Sequence, residues 1–588
     1  MTHTSAPSVL PADHPLATPS DLPYGLPDFS AVSDAQLAEA VRAGMAAQRA
    51  EVDQILGAAT APTFENTVRA LELSGQLLRR SAAMFFTLVG SDGTDARQAL
   101  AEELSPELAA HEDAILLDPR LAARAASIDD GGLTGEDARL LETLRLRLSL
   151  AGADLDEAAR EELRGINTEL ASLSAAYTRR LVADTAARAV LVTDRERLAG
   201  LSEDDLAAAA GAAAEAGHGD GDAAAGPWLL TLSLFTSQPW LASLQDEGMR
   251  REVFEASTGR GGSGEHETLT TAMAMVRLRL RKARLLGAQS WAEQALKDRA
   301  APSTAAVEEL LAAMAPRAMA NARADAATAA AHAGRTDAEV APWDWPALSA
   351  AYAREEFAVD ADALRPYFEL DRVLTEGVFA AATALYGLTF AERPELARHL
   401  YRPGIRVFEV TGEDGAGVGL FVADLFARPT KSGGAWMHTV RDMADALGER
   451  PVVFTTMNVP APAAGRPALL TLDETTTLFH EFGHALHGLL AEGEYASLTG
   501  TAVPRDASIR LEQVSHAYGE DEDGNERIVL RPLDLEIAPG ETFSYQSGVP
   551  LATPLGVMEG SYILQDESGQ QFEAPIAPFT LAVPNIIN

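Results

Sequence analysis

Apolar residues in the first four hundred positions recur at intervals of three and four, which is the spacing of amphipathic helices. Ser33 is placed to cap the first of these helices, and Thr63 to begin the next. The pattern has few interruptions before residue 202, and we expect a mainly α chain. Helices are predicted over residues 35–56, 145–180, 246–300 and 303–333.

Past Gly404 the pattern changes to the alternation and β-branched runs that are typical of strands. The last of the predicted strands leads into an apolar helical run, which Asp473 could cap. This predicts a helix beside a small β-sheet within an otherwise helical body. The strands are predicted over residues 406–410, 419–426, 451–459 and 468–472.

The helix after Asp473 contains the pattern His-Glu-x-x-His at residues 480–484. At 3.6 residues per turn, His480 and His484 lie one above the other on one face, so their imidazoles can share one Zn²⁺. Glu481 is beside them and could act as a general base toward water activated by the metal. The alternative is a buried helix whose histidines are satisfied in the core.

A catalytic zinc site normally has three protein ligands and one open position. His487 is adjacent to the pattern, but we expect it to have a packing or supporting role rather than to bind the metal. The other histidines, including His438 and His516, are scattered and are expected to be ordinary surface or core residues. The third ligand is therefore not evident from spacing alone.

The amino-acid composition limits the kinds of molecule that the protein is expected to bind. The 588 residues include 86 acidic and 47 basic side chains, a formal net charge of −39, which disfavours binding to nucleic acid or to anionic membranes. The absence of cysteine excludes disulfides and thiolate metal sites and is compatible with the cytoplasm. We found no signal peptide or membrane-spanning run. Residues 1–23, rich in Pro, Ser, Thr and Asp, are expected to be a flexible leader.

Residues 24–506 resemble the M3 family of zinc metallopeptidases and, within it, the bacterial peptidyl-dipeptidases. The resemblance covers about four fifths of the chain. It depends on segments spread along that region as well as on the zinc motif. They are residues 61–67, 104–111, 113–115, 364–368, 427–429, 431–436, 467–470, 477–488, 497–501 and 503–506.

This resemblance implies two largely helical lobes around a deep channel that admits only short peptides, with C-terminal dipeptides as the product. It also implies a monomer with one Zn²⁺, held by His480 and His484, and Glu481 as the catalytic base. In this mechanism Glu481 takes a proton from the attacking water and delivers it to the leaving amine.

The sequence departs from the family where the third ligand, a glutamate, is expected. Ala507, Ser508 and Ile509 occupy those positions, and an aliphatic side chain cannot bind zinc. Glu512 could serve as the third ligand only if the local chain path were rebuilt. The family's later segment, which stabilises the oxyanion, has no counterpart here, so we expect impaired activity. A catalytically inactive protein that binds peptides or proteins is the alternative.

From residue 507 onward the tail has a different sequence pattern, which predicts short strands and turns. Residues 507–538 resemble the start of an ABC-type ATPase domain, although its phosphate-binding loop is missing, and an ordinary β-hairpin explains them equally well. Residues 539–588 resemble the C-terminal part of the ApaG family, a partial immunoglobulin-like β-sandwich. Such an incomplete sandwich could drive association or act as an interaction module. The simplest interpretation is that three unrelated stretches are joined in one chain.

Overall fold

The structure of the chain is a computed structural model. It describes residues 10–232, 238, 240–299, 301–336, 340–356, 361–462 and 465–502, followed by the strand segments 510–511, 516–520, 526–530, 535–536, 555–565 and 571–582. Two compact units can be distinguished. The first comprises Met1–Gly287 and Arg323–Val503, and the second Ala288–Ala322 and Pro504–Asn588.

Helices dominate the described chain, so the prediction of a mainly α fold with a small sheet is confirmed. The helices are α1 (Asp34–Gly57), α2 (Ala70–Glu72), α3 (Gln76–Ser91), α4 (Asp95–Leu116), α5 (Pro119–Ser127), α6 (Gly135–Ala151), α7 (Glu157–Ala187), α8 (Glu203–Glu215), α9 (Trp240–Ser243), α10 (Glu247–Thr258), α11 (Leu269–Leu285), α12 (Trp291–Leu296), α13 (Thr304–His332), α14 (Trp345–Glu356), α15 (Ala361–Leu364), α16 (Leu370–Arg372), α17 (Ala380–Tyr386), α18 (Pro394–Ala397) and α19 (Leu472–Leu489).

The strands of the first unit form a two-stranded and a five-stranded sheet. They are β1 (Val190–Val192), β2 (Trp228–Leu230), β3 (Thr389–Glu392), β4 (Arg406–Thr411), β5 (Gly417–Phe426), β6 (Trp436–Arg441) and β7 (Val452–Val459). The larger sheet has the order β3-β4-β5-β7-β6; β5 and β7 run parallel, and the other neighbours are antiparallel.

The five-stranded sheet is covered on both faces. On one face, Leu478, Phe482 and Ala485 of α19 pack with Phe421 and Val453 in one hydrophobic cluster. A second cluster joins the opposite strand residues, such as Val422 and Phe454, to α1 and α3. The predicted strands over residues 406–410, 419–426 and 451–459 are therefore confirmed. In the predicted strand 468–472, Leu469 forms only an isolated bridge with Glu369.

The prediction of one long helix over residues 145–180 is wrong. α6 ends at Ala151, and Gly152 closes it in the left-handed conformation with φ 97°. Asp156 then caps α7 by accepting a hydrogen bond from the Ala159 amide. Glycine adopts positive φ at no steric cost and so can end a helix, and an Asp cap can begin the next one. Here these two signals prevail over the continuous amphipathic spacing.

The flexible leader expected over residues 1–23 stays a prediction, and the structure describes its residues 10–23. Leu10 and Leu16 are buried in the cluster that joins α1, α3 and the sheet. The guanidinium of Arg80 donates a hydrogen bond to the Leu16 carbonyl. A few apolar anchors on a hydrophobic surface therefore suffice to hold a segment whose composition is that of a loop.

The second unit contains α12, the first part of α13 and the strands of the tail. These strands are β8 (Arg510–Leu511), β9 (His516–Glu520), β10 (Glu526–Leu530), β11 (Leu535–Glu536), β12 (Leu555–Gln565) and β13 (Gln571–Ala582). They form the sheet β11-β8-β12-β13 and the hairpin β9-β10. The ATPase-like and ApaG-like resemblances, and the sandwich they imply, stay predictions. Among the described helices, none is apolar over a length that would cross a bilayer.

Candidate metal centre

The helix that carries the His-Glu-x-x-His pattern is α19, and it begins with a capping box. The Thr471 hydroxyl accepts from the Glu474 amide at 3.1 Å, and the Glu474 carboxylate accepts from the Thr471 amide at 2.8 Å. The prediction that Asp473 caps this helix is therefore wrong; Asp473 lies in the first turn. The spacing Thr-x-x-Glu at residues 471–474 was the signal that could have located the cap.

α19 divides cleanly into a buried and an exposed face. Leu478, Phe482, Ala485 and Leu489 are buried against the sheet. Gly488 permits close contact with the strands, since a Cβ there would lie 3.2 Å from Val453 Cγ2 and 3.5 Å from Thr439 Cγ2. The histidines are consequently directed away from the sheet.

His480 and His484 come together on the exposed face. Their Nε2 atoms are 3.1 Å apart, and their ring planes meet at 85°. With zinc–nitrogen bonds of about 2.0–2.1 Å, this gap corresponds to an N–Zn–N angle of about 100°, near the tetrahedral value. Both rings are solvent-exposed, so a cation can approach them. The pair therefore fits two positions of a zinc site.

Glu481 occupies the next position on the same turn, but its side chain is 8% exposed. It has no hydrogen-bond or ion-pair partner among the residues that the structure describes. A carboxylate that is shielded from bulk water but unengaged by the protein can accept a proton from a nearby water. This environment suits the predicted base, although the role itself stays a prediction.

A third ligand is not found in the described part of the chain. No group of three or more His, Asp or Glu side chains converges there in a way that could hold a metal. Residues 507–509 and Glu512, the sole candidate that the sequence offered, lie outside the described residues. His487 is exposed on the outer face of α19, so it does not pack into the core as one alternative had it.

His438 lies on β6 and is half-buried; the sequence predicted an ordinary surface or core residue. Its ring stacks on Phe454 with centroids 5.1 Å apart, and its Nε2 atom lies 3.1 Å from the Thr87 hydroxyl. Burial lowers the pKa of His438 to about 4, against a smaller opposing effect of Asp424. The ring is therefore neutral at physiological pH. The side chain of His516 lies outside the described residues.

A buried ionic cluster supports the sheet behind this helix, and sequence reasoning did not identify it. Lys431 and Arg428 both bind the carboxylate of Asp424, which also accepts from the Tyr401 hydroxyl at 2.7 Å. Burial alone would raise the pKa of Asp424, but Arg428, Lys431 and Tyr401 hold it below its ordinary value. The signal available in the sequence was a lysine and an arginine close to a strand end.

The loop between β5 and β6 is glycine-rich and firmly held. The Asn458 amide donates to the carbonyls of Ser432 and Gly434 at 2.9 and 2.7 Å, and the Ser432 amide donates to the Gly90 carbonyl at 2.8 Å. The loop leads directly into β6, which is an edge strand of the sheet. Hydrogen bonds to β7 and to α3 therefore hold the loop just before β6 begins.

Comparison with known proteins gives consistent matches. The model of peptidase family M3 matches residues 240–513. Dipeptidyl carboxypeptidase of Escherichia coli is 37% identical over 500 residues, which are 84% of this chain and 72% of that protein. The dipeptidyl carboxypeptidase of Salmonella typhimurium is 36% identical over 92% of this chain and 81% of its own length. Oligopeptidase A of Salmonella typhimurium is 29% identical over 82% of this chain and 72% of its own length.

Proposed function

Because this chain belongs to peptidase family M3 and is a hydrolase of that family, we propose that it is a zinc-dependent peptidase acting on short peptides. The proposal includes the release of C-terminal dipeptides, the reaction that the names of two similar relatives indicate. One observation supports the metal site above all others. The Nε2 atoms of His480 and His484 face each other at 3.1 Å on the exposed face of α19.

In this proposal each residue has a defined task. His480 and His484 would hold the ion through their Nε2 atoms. When bound, zinc would supply Lewis-acid activation of water and of the scissile carbonyl. Glu481 would accept a proton from the attacking water and later pass it to the leaving amine, so one carboxylate serves as base and then as acid.

The sheet offers a way to bind the peptide backbone. β6 is an edge strand, paired with β7 alone among the described strands. It lies beside the zinc helix, because Thr439 of β6 contacts the position of Gly488 on α19. An extended peptide can add to such an edge through main-chain hydrogen bonds, largely without regard to its sequence. This arrangement suits an enzyme that acts on varied short peptides.

We further propose that turnover is low. Only two of the three expected ligands are found among the described residues, and the position of the family's third ligand is an isoleucine. A two-imidazole site holds zinc less tightly than a closed three-ligand site, and each missing oxyanion donor costs on the order of 10²–10³ in rate. A cytoplasmic location stays a prediction from composition.

The test combines metal analysis with peptide hydrolysis. After dialysis, zinc content is measured by atomic absorption, and release of dipeptides from a blocked tetrapeptide is followed with and without added Zn²⁺. We expect substoichiometric zinc and slow hydrolysis that is lost in Glu481→Ala. Hydrolysis that persists in Glu481→Ala would contradict the assigned base, whereas one tightly held zinc with fast turnover would contradict the low activity.

A non-catalytic peptide-binding protein is the second candidate, and the lack of a converging three-residue metal group among the described residues favours it. The β-rich tail as an interaction module belongs to this candidate. It predicts that a fluorescent peptide binds with the same affinity after chelation and in Glu481→Ala, with no detectable cleavage. Binding that disappears with the metal would exclude it.

A further inference from the structure

The face of the five-stranded sheet that is covered by α1 and α3 contains polar atoms that the protein itself leaves unbonded. Thr456 of β7 and Ser91 of α3 are both 0% exposed, and neither hydroxyl oxygen has a partner at hydrogen-bonding geometry among the described residues. The Nδ1 atom of His438 on β6 is likewise buried without a partner there. Because a buried polar group without a hydrogen bond costs free energy, three of them in one region need a physical reason.

The register of the strands places Thr456 and His438 on the same face of the sheet. His438 pairs directly with Phe454 and stacks on its ring, and Thr456 follows Phe454 by two residues. The two polar residues are therefore diagonal neighbours, whose Cα atoms are usually about 7–8 Å apart. Their side chains do not bond to each other but can converge on one small molecule between them.

Ser91 approaches these two residues from α3. The Thr87 hydroxyl, one helical turn earlier, lies 3.1 Å from the Nε2 atom of His438. Residues four apart on a helix lie on the same side, so Ser91 also faces the sheet, in agreement with its complete burial. The helix therefore brings the Ser91 hydroxyl to the strand face that carries the His438 ring.

A series of contacts connects Ser91 with Thr456 on the other side of this region. Arg428 donates from Nε to the Ser91 carbonyl at 2.7 Å and from Nη1 to the Asp424 carboxylate at 2.9 Å. Asp424 on β5 is in turn the register partner of Thr456 on β7. Burial and Asp424 raise the pKa of Tyr401, whereas the neighbouring Ser91 hydroxyl lowers it, so this tyrosine lies at the same point. These residues form a ring around the three unbonded atoms.

The position of the proton on the His438 ring limits what this site can accept. The Thr87 hydroxyl donates to the Ala83 carbonyl at 2.8 Å, so it accepts from His438, and Nε2 carries the ring proton. Burial lowers the pKa of His438 to about 4 and keeps the ring neutral, so Nδ1 is an acceptor that lacks a donor. A molecule at this site must therefore donate a hydrogen bond, which excludes an anion such as chloride.

The charges beside the site exclude a cation. Arg428 and Lys431 both bind the carboxylate of Asp424, so these three groups together carry a positive charge. An additional metal or ammonium ion would be repelled by them. The occupant has to be small and neutral, and it has to donate to a ring nitrogen while accepting from hydroxyl groups. Water meets all of these conditions.

We propose that one buried water molecule occupies this site, where it donates to His438 Nδ1 and accepts from the hydroxyls of Ser91 and Thr456. Three hydrogen bonds are the usual number for a buried water. The water joins α3 to β7 and to the edge strand β6, so it acts as a structural ligand of the sheet. It is independent of the candidate metal centre and of the proposed activity.

The direct test is a crystal structure of the wild-type chain at a resolution that shows ordered water. We expect one density peak within about 2.7–3.2 Å of all three atoms, His438 Nδ1, Ser91 Oγ and Thr456 Oγ1. A second crystal, grown in bromide, distinguishes water from an anion, because bromide gives an anomalous signal. Absence of the peak, or a bromide signal in its place, would overturn the proposal.

The direction of a stability change gives an independent test. Thr456→Val keeps the shape of the side chain and removes its hydroxyl. If this hydroxyl bonds to the water, the ratio of folded to unfolded protein in urea should fall by about twofold to tenfold. An unpaired hydroxyl in a dry core destabilises the fold, so its removal would leave this ratio unchanged or raise it. That result would contradict the bridging water.

A double-mutant cycle tests whether two residues share the same water. Ser91→Ala and Thr456→Val each remove one bond to it, so their combined effect on the folded ratio should be smaller than the product of the single effects. The matched control combines Ser91→Ala with Thr455→Val, on the opposite face of β7, where the effects should multiply. Effects that also multiply for Ser91 and Thr456 would reject a shared water.

Discussion

The Lys431 ammonium lies 3.0 Å from the Asp424 carboxylate and donates also to the main-chain carbonyls of Asp424, Phe426 and Met457. These carbonyls belong to β5 and β7, where the register of the two parallel strands shifts. The ammonium thus supplies the donors that the irregular ladder lacks. Because the Lys431 side chain is fully buried, its ammonium has little access to water that could replace these hydrogen bonds.

Replacing Lys431 should therefore be costly. Lys431→Met leaves three carbonyls without their donor and removes one of the cations that neutralise Asp424. We expect the free energy of unfolding to fall by about 3–5 kcal/mol, as measured by urea denaturation followed by circular dichroism. Arg354→Met, at an exposed position of α14, is the control and should change stability by less than about 0.5 kcal/mol. Equal losses of unfolding free energy in the two variants would contradict the role of Lys431 in holding β5 and β7 together.

The stability of the protein should depend on His438 in acid. The pKa of the folded-state ring is about 4, below its ordinary 6.5, so the unfolded state binds more protons between these values. The free energy of unfolding should consequently fall as pH decreases from 6.5 to 4, with up to about 3 kcal/mol attributable to this ring. His438→Phe, which keeps an aromatic ring beside Phe454, should flatten the curve.

A residual slope is expected in His438→Phe. Burial, reinforced by the charge of Arg49, also lowers the pKa of His111 to about 4, so that second histidine contributes in the same direction over the same window. Urea titrations at several pH values between 7 and 4 measure both effects. An unchanged slope in His438→Phe would show that the ring does not control acid sensitivity.

The stability of the start of α19 should depend on Thr471 more than on Asp473. Thr471→Ala removes the acceptor for the Glu474 amide and should cost about 1 kcal/mol in unfolding free energy. Asp473→Asn removes only a favourable charge near the helix N-terminus, and we expect a loss of about 0.3–1 kcal/mol. Thermal unfolding of the two variants compares them directly, and a larger effect at Asp473 would refute the assigned cap.

Metal affinity should separate the histidines of α19. His480→Ala and His484→Ala each destroy the chelating pair, and we expect the dissociation constant for Zn²⁺ to rise by at least roughly tenfold in isothermal titration calorimetry. His487→Ala, on the same exposed face, is the matched control and should bind as the wild type does. A comparable loss at His487 would place a ligand where we assign none.

Local patterns accounted for most of the helical architecture. Apolar spacing predicted the helices over residues 35–56 and 303–333 and the strands β4, β5 and β7, because a few consecutive residues suffice to show which face of an element is buried. The predicted helix over residues 246–300 is wrong as one element, since it is divided into α10, α11 and α12. The helix cap at Ser33 was predicted correctly: its side chain accepts a hydrogen bond from the Gln36 amide. At Gly152 the continuous apolar pattern favoured one long helix, and at the start of α19 Asp473 was predicted as the cap in place of Thr471.

Contacts between distant segments were beyond the reach of local patterns. Leu10 and Leu16 are buried by α3 and the sheet, and Lys431 meets carbonyls of both β5 and β7. Such pairings depend on how separate elements pack, which one-dimensional spacing does not specify.

The sequence by itself determined the residues of the candidate centre: two imidazoles four residues apart on one helix, with a carboxylate between them, because helical geometry fixes neighbours one turn apart. Only the tertiary structure decided that these rings are exposed with 3.1 Å between their nitrogens while Glu481 is shielded. That difference arises from the sheet, which covers one side of α19 and leaves the other side exposed to solvent.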